Sequence, residues 1–162
     1  NIILKNGLLG GLIVSLVMEG MTYFMKTNPD KEPSPVIGFL SMFVAFYYVV
    51  VGIKQQRNTN NGSITFGKAF STGLLISLVI STIYVLLWLV IYYNFFPNFI
   101  EQYSDMVLKN TKPELVAEKT AEMNQMKEWY KNPVMVILLT YMEIFPIGIL
   151  YTLVSSIILK RK

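Results

Sequence analysis

Two carboxylates, Glu19 and Glu143, stand inside long apolar runs with no Lys or Arg at comparable depth. Ionised acids are costly in hydrocarbon, so such residues normally face a bundle interior or water and are candidates for function. An acid buried without a cation favours its neutral form. Pro146 follows Glu143 by three residues and has no N–H to offer the carbonyl of Met142, which predicts a kink and a free acceptor there. With Thr140 one turn away, these groups would form a small polar pocket suited to a proton, a cation, or a cationic or hydroxylated ligand. The plain alternative is a protonated glutamate acting as a hydrogen bond between helices. Glu19 and Glu143 lie about seven and ten residues from the same end of their helices, roughly 10 and 15 Å deep. They meet if the first and fourth long helices are neighbours.

Other chemistry is excluded by composition. The chain of 162 residues has no Cys and no His, so disulfides, thiol or imidazole metal sites and Ser-His-Asp catalysis are all ruled out. No nucleophile or metal set accompanies the two glutamates, and a non-enzyme without a cofactor is expected. The run Gly62-Ser63-Ile64-Thr65-Phe66-Gly67-Lys68-Ala69 nearly matches a phosphate-binding loop, but Ala69 replaces the magnesium-binding hydroxyl and no strand precedes it. A turn at Asn61-Gly62 and a helix start near Thr65 account for it better. The net charge of +4 is spread between apolar runs, so neither nucleic acid nor nucleotide is an expected partner.

The elements that position the carboxylates are set by hydropathy. Hydrophobic residues make up 53% of the chain and charged ones 15%, against about 25% charged in soluble domains. Four runs reach the roughly 20 residues that a bilayer-spanning helix needs: residues 7–25, 35–53, 69–94 and 133–159. The expected fold is all-α, an integral membrane four-helix bundle forming one membrane domain over 1–162. The first run lacks a small-residue cleavage pattern after Phe24 and reads as a retained span, not a signal peptide. Lys5, Lys54, Arg57, Lys68, Lys160, Arg161 and Lys162 gather on one side without acids. The other side spreads as many bases over a longer stretch among eight acids. Basic density places both ends in the cytoplasm, the chain being a multi-pass protein of a bacterial inner membrane.

Residues 97–132 form an extracytoplasmic amphipathic segment. Phe99, Ile100, Tyr103, Met106 and Val107 recur at helical spacing, and Pro113 with Glu114 opens a second helix. On that second helix Val116, Met123, Met126 and Tyr130 mark a candidate docking face for a partner. The acidic stripe of Glu114, Glu118 and Glu122 reads as a solvated face.

Small residues repeat every four positions: Gly7, Gly11 and Ser15; Ala69, Gly73, Ser77 and Ser81; Gly148, Thr152 and Ser156. Lipid gives helices no hydrophobic reason to associate, so close contact needs such residues. They mark helix packing within the bundle, or else between copies. Glu19 extends the first series by one further step of four.

Two stretches carry a resemblance. Val51-Gly52-Ile53-Lys54, Ile64-Thr65-Phe66-Gly67-Lys68-Ala69-Phe70 and Gly73 to Leu78 form the first. The second is Tyr130-Lys131-Asn132-Pro133, Leu138 to Ile144 and Ile158 to Lys162. Together they resemble the bacterial membrane family catalogued as domain of unknown function 4199, typical of Bacteroidota. The resemblance runs along essentially the whole chain and implies a four-helix membrane protein without an assigned activity. The function expected on these grounds is that of an accessory or scaffolding subunit, its partners being the bilayer and a membrane protein or a second copy. Proton- or cation-linked transport through Glu19 and Glu143, or lipid handling, are the alternatives.

Overall fold

The computed structural model describes residues 1–161. Lys162, one of the basic residues counted above, lies outside them. The described residues are mostly helical: α1 (Ile2–Thr27), α2 (Pro35–Asn58), α3 (Phe66–Val90), α4 (Phe99–Lys109), α5 (Val116–Tyr130) and α6 (Pro133–Leu159). A π-helical turn (Ile91–Phe95) prolongs α3 and a 3-10 turn (Pro113–Leu115) leads into α5. Four of these helices are long and apolar enough to cross a membrane: α1, α2, α3 with its π turn, and α6.

Local chemistry sets the helix ends. The Asn1 side chain accepts from the Ile3 N–H at 3.0 Å, so α1 begins five residues before the first span expected from hydropathy. Thr65 accepts from the Lys68 N–H at 3.3 Å and starts α3, which is the work done by the loop that mimics a phosphate cradle. Asn132 accepts from the Val134 N–H at 2.9 Å with Pro133 in the first turn of α6. Such side chains satisfy N–H groups that have no partner within their own helix. Between α2 and α3 the chain reverses through Asn61 (φ 52°) and Gly62 (φ 82°), where the left-handed backbone favours these two residue types. Ile64 and Arg161 exchange two main-chain hydrogen bonds of 2.8 and 2.9 Å, tying this loop to the end of α6. Pro146 sits within an unbroken α6.

Helix α3 packs on α1, α2 and α6, while α1 and α6 have little contact with each other. The small residues are where the helices close. A Cβ on Gly11 would stand 2.6 Å from the Ile83 side chain, and one on Gly148 would meet Phe46 at 2.7 Å and Ser77 at 2.9 Å. Gly7 faces Val79, and Gly73 faces Thr152. The Ser77 hydroxyl lies 3.1 Å from both the Gly148 carbonyl and the Thr152 hydroxyl. Ser15, Ser81 and Ser156 are buried with no hydrogen-bond partner among the described residues. Gly10 and Gly52 were not in these series, yet both approach α3 or α2 closely: Gly10 packs on the Ala45 carbonyl and Ile80, Gly52 on Ile76.

The outer surface of the bundle is apolar. Leu8, Leu12 and Leu16 of α1, Phe39 and Phe43 of α2, and Leu150 and Ile158 of α6 are all exposed. A continuous apolar surface on this scale belongs in lipid. Within the aromatic stripe of α2, Phe39, Phe43 and Tyr47 face outward, and Phe46 is fully buried.

Candidate functional site: a capped cavity at one end of the bundle

Helices α4 and α5 fold back over the end of the bundle formed by the last turns of α1 and α3 and the first turns of α2 and α6. Beneath them lies a cavity of about 320 Å³. Its wall follows from helical periodicity. Met18, Met21 and Met25 come from one face of α1, and Tyr84 and Trp88, four apart, from α3. Pro35, Gly38 and Met42 supply the α2 side. Phe99, Tyr103 and Met106 line one face of α4, Tyr130 comes from the end of α5, and Glu143 from α6. Glu32, in the loop between α1 and α2, stands at the rim.

The Tyr84 hydroxyl donates to a Glu143 carboxylate oxygen at 3.2 Å, joining α3 to α6 across the cavity wall. Glu143 keeps an exposed side chain, and the cavity wall is where that carboxylate opens. No Lys or Arg lines the cavity. Tyr103 holds its proton more firmly than an ordinary tyrosine, because it is buried and because Glu32 and Glu143 both bear on it, with Lys119 opposing. Its hydroxyl therefore lies within the field of both acids. Tyr130 is shifted the same way, chiefly by burial, against the opposing effect of Trp88 and with a contribution from Glu143.

The cover is attached at a few points. The Gln102 amide of α4 donates to the Met25 carbonyl of α1 at 2.7 Å. Lys109 pairs with Asp30 at 2.6 Å, and Lys127 of α5 with Glu101 of α4 at 2.7 Å. The Lys26 ammonium donates to the Phe95 carbonyl. Aromatic packing adds to these: Trp88 and Phe99 meet edge to face with centroids 4.7 Å apart, as Tyr92 and Tyr130 do at 5.1 Å. Such pairs contribute about 0.5–1.5 kcal/mol each beyond their buried area.

The structure separates the two glutamates. Glu143 lines the cavity; Glu19 does not, although Met18, Met21 and Thr22 beside it do. A step of four residues advances an α-helix about 40° past a full turn. Three such steps from Gly7 carry Glu19 about 120° off the packing face. It shares the outward face of α1 with Leu8, Leu12, Leu16 and Tyr23. Thr140 is buried, and its hydroxyl donates to the Val136 carbonyl of its own helix at 2.7 Å. Neither Thr140 nor Pro146 lines the cavity. On α5, Met123 is buried and Tyr130 reaches the cavity, Met126 is half-buried, and Val116 is exposed. Much of the face expected to dock a partner is thus covered by the chain's own bundle.

Sequence reasoning missed Tyr84, Trp88 and Glu32 as site residues. The methionines at 18, 21 and 25 carried a legible signal in their spacing of three and four. Glu32 carried none, since its loop has no periodicity.

No curated protein and no solved structure matches this chain. A family model for proteins of unknown function, DUF4199, matches residues 5–161, nearly its whole length, and the chain belongs to that family.

Proposed function

We propose that the protein is a non-catalytic, multi-pass protein of the bacterial cytoplasmic membrane that holds a small amphiphilic ligand in the capped cavity. In this reading both chain ends face the cytoplasm and the cavity opens near the outer surface. The observation that carries it is the partly open cavity of about 320 Å³, within the roughly 300–1,000 Å³ typical of small-ligand sites. Its wall combines flexible methionines, which accommodate varied apolar shapes, with a carboxylate and tyrosine hydroxyls. The orientation rests on Lys54, Arg57, Lys68, Lys160 and Arg161, which flank the ends of α2, α3 and α6 away from the cover.

The chain has two Trp, and Trp88 lines the cavity. A Trp129→Phe variant in uncharged maltoside micelles therefore reports on the site alone. A brominated eight-carbon alcohol should quench Trp88 saturably. Gly38→Phe should abolish saturation, because a Cβ at Gly38 meets only Met21, at 3.5 Å, and the ring beyond it fills the space. Linear quenching, equal in both variants, would mean simple partitioning into the micelle and would sink the proposal.

A second reading, as an accessory subunit, is favoured by Glu19. A carboxylate on a lipid-facing helix surface is costly unless something covers it, and Gly20 beside it has open space around its Cα. Native mass spectrometry of the gently extracted protein tests this: a second protein or a second copy at fixed stoichiometry, lost in Glu19→Leu, supports it. A monomer throughout counts against it.

A further inference from the structure

The cavity has a charge pattern that its size alone does not require. Glu32 and Glu143 both line it, and no basic side chain does. Neither acid takes part in an ion pair among the described residues. At the same end Lys109 pairs with Asp30, Lys127 with Glu101, Lys119 with Glu122 and Lys131 with Glu128, and Lys26 donates to the Phe95 carbonyl. Lys31 and Lys112 are exposed, make no ion pair among the described residues and do not line the cavity. Two carboxylates that line one partly enclosed space with no basic group on its wall would have their charged forms stabilised by a cation held between them and the rings.

The rest of the wall indicates what kind of cation. Tyr84, Trp88, Phe99, Tyr103 and Tyr130 all contribute rings. Aromatic rings attract cations through their quadrupole, most strongly where water is scarce, and cages of them recognise organic ammonium groups. A hard divalent ion takes six or more oxygen ligands, whereas among the described residues no three Asp or Glu side chains gather as a metal site would require. The apolar methionine side, from Met18 to Met25 on α1, then meets the remainder of the molecule. A phospholipid head group is disfavoured by its phosphate, which would face two carboxylates with no basic group on the wall.

Building on the cavity as a ligand site, we propose that its ligand is an amphiphilic organic ammonium ion. Glu143 and Glu32 are its counter-charges, and the tyrosines and Trp88 surround its head. Glu143 is fixed on the inner wall by Tyr84, and Glu32 closes the rim from the α1–α2 loop.

The test uses the Trp129→Phe protein in uncharged maltoside micelles, with displacement of the brominated alcohol as the readout. Octylammonium and octyltrimethylammonium should displace it at concentrations about tenfold or more below octanol, with octanoate weakest. Glu143→Gln and Glu32→Gln should each shrink that preference, and the double variant should abolish it. Glu32 lies in an exposed loop, so Glu32→Gln keeps the test valid should Glu143→Gln fail to fold. Equal displacement by octanol and the ammonium ions would overturn the proposal while leaving the cavity a neutral amphiphile site. Absence of saturable quenching by the alcohol itself would instead remove the underlying reading. Added phosphatidylethanolamine distinguishes the source of the ammonium: no effect supports a free amphiphile, and competition overturns the exclusion of lipid head groups.

Discussion

The Gln102 side chain caps α1: its amide donates to the Met25 carbonyl at 2.7 Å, in the last turn of that helix. Carbonyls at a helix C-terminus lack partners within the helix. One contact therefore finishes α1 and fastens the cover. Gln102→Ala should loosen α4 by about 0.5–1.5 kcal/mol, the usual worth of such a bond. Hydrogen exchange should quicken in residues 99–109 and stay unchanged at the Ser77–Thr152 contact between α3 and α6. Uniform exchange across the chain would show that the cover and bundle do not separate.

The Asp30–Lys109 pair adds a pH dependence to the same attachment. Its hydrogen bond and charge hold the Asp30 carboxyl below its ordinary 3.8. A lowered carboxylate contributes its stabilisation above the unfolded value and loses it as pH falls through the folded one. Exchange in α4 should therefore be constant from pH 7 to 5 after correction for intrinsic rates, and rise only below about pH 4. Asp30→Asn should remove that acid step. A step that persists in the variant assigns it to another carboxylate.

Gly148 and Gly67 make a matched pair. A Cβ on Gly148 collides with Phe46 and Ser77, whereas Gly67 has nothing within 4 Å. Gly148→Ala should cost about 1–3 kcal/mol through overpacking. Gly67→Ala should be neutral or gain up to about 1 kcal/mol from helix propensity. Thermal unfolding in detergent compares them directly, and an equal shift in both would mean that close packing of α6 on Phe46 is unimportant.

Tyr84→Phe removes the donor to Glu143 while keeping the ring. The hydrogen bond is 3.2 Å long, so the loss of stability should be at the low end of the usual range, about 0.5–1 kcal/mol. Cavity shape should persist, measured as unchanged saturation of Trp88 quenching by the brominated alcohol. A collapse of quenching would show that Tyr84 shapes the cavity through packing and not only by orienting Glu143.

The spans were legible because lipid imposes one rule on the whole length of a helix, and apolar length alone reveals it. The small-residue series were legible for a related reason: Gly148 or Gly73 permits an approach that any Cβ would block. The site was only partly so. Glu143 stood out by its charge, but its partners come from five other helices and a loop, and Tyr84, Trp88 and Tyr103 look like ordinary interfacial aromatics until the cover folds onto them. Glu19 misled because a four-residue repeat is not quite one turn, and the discrepancy accumulates. The α5 face is legible only as apolar, since an amphipathic helix needs an apolar neighbour but does not say whether that neighbour is another chain.

The wide turn at Ile91–Phe95, closed by the Phe96 N–H on the Ile91 carbonyl at 2.9 Å, sets where on the circumference of α3 the chain departs for the cover. Each α-helical residue rotates the chain by about 100°. Deleting one residue here would let the turn tighten into regular α-helix and rotate, by about that angle, the point at which the chain leaves α3 for the cover. A single codon here thus bears on how the roof is seated over the end of the bundle.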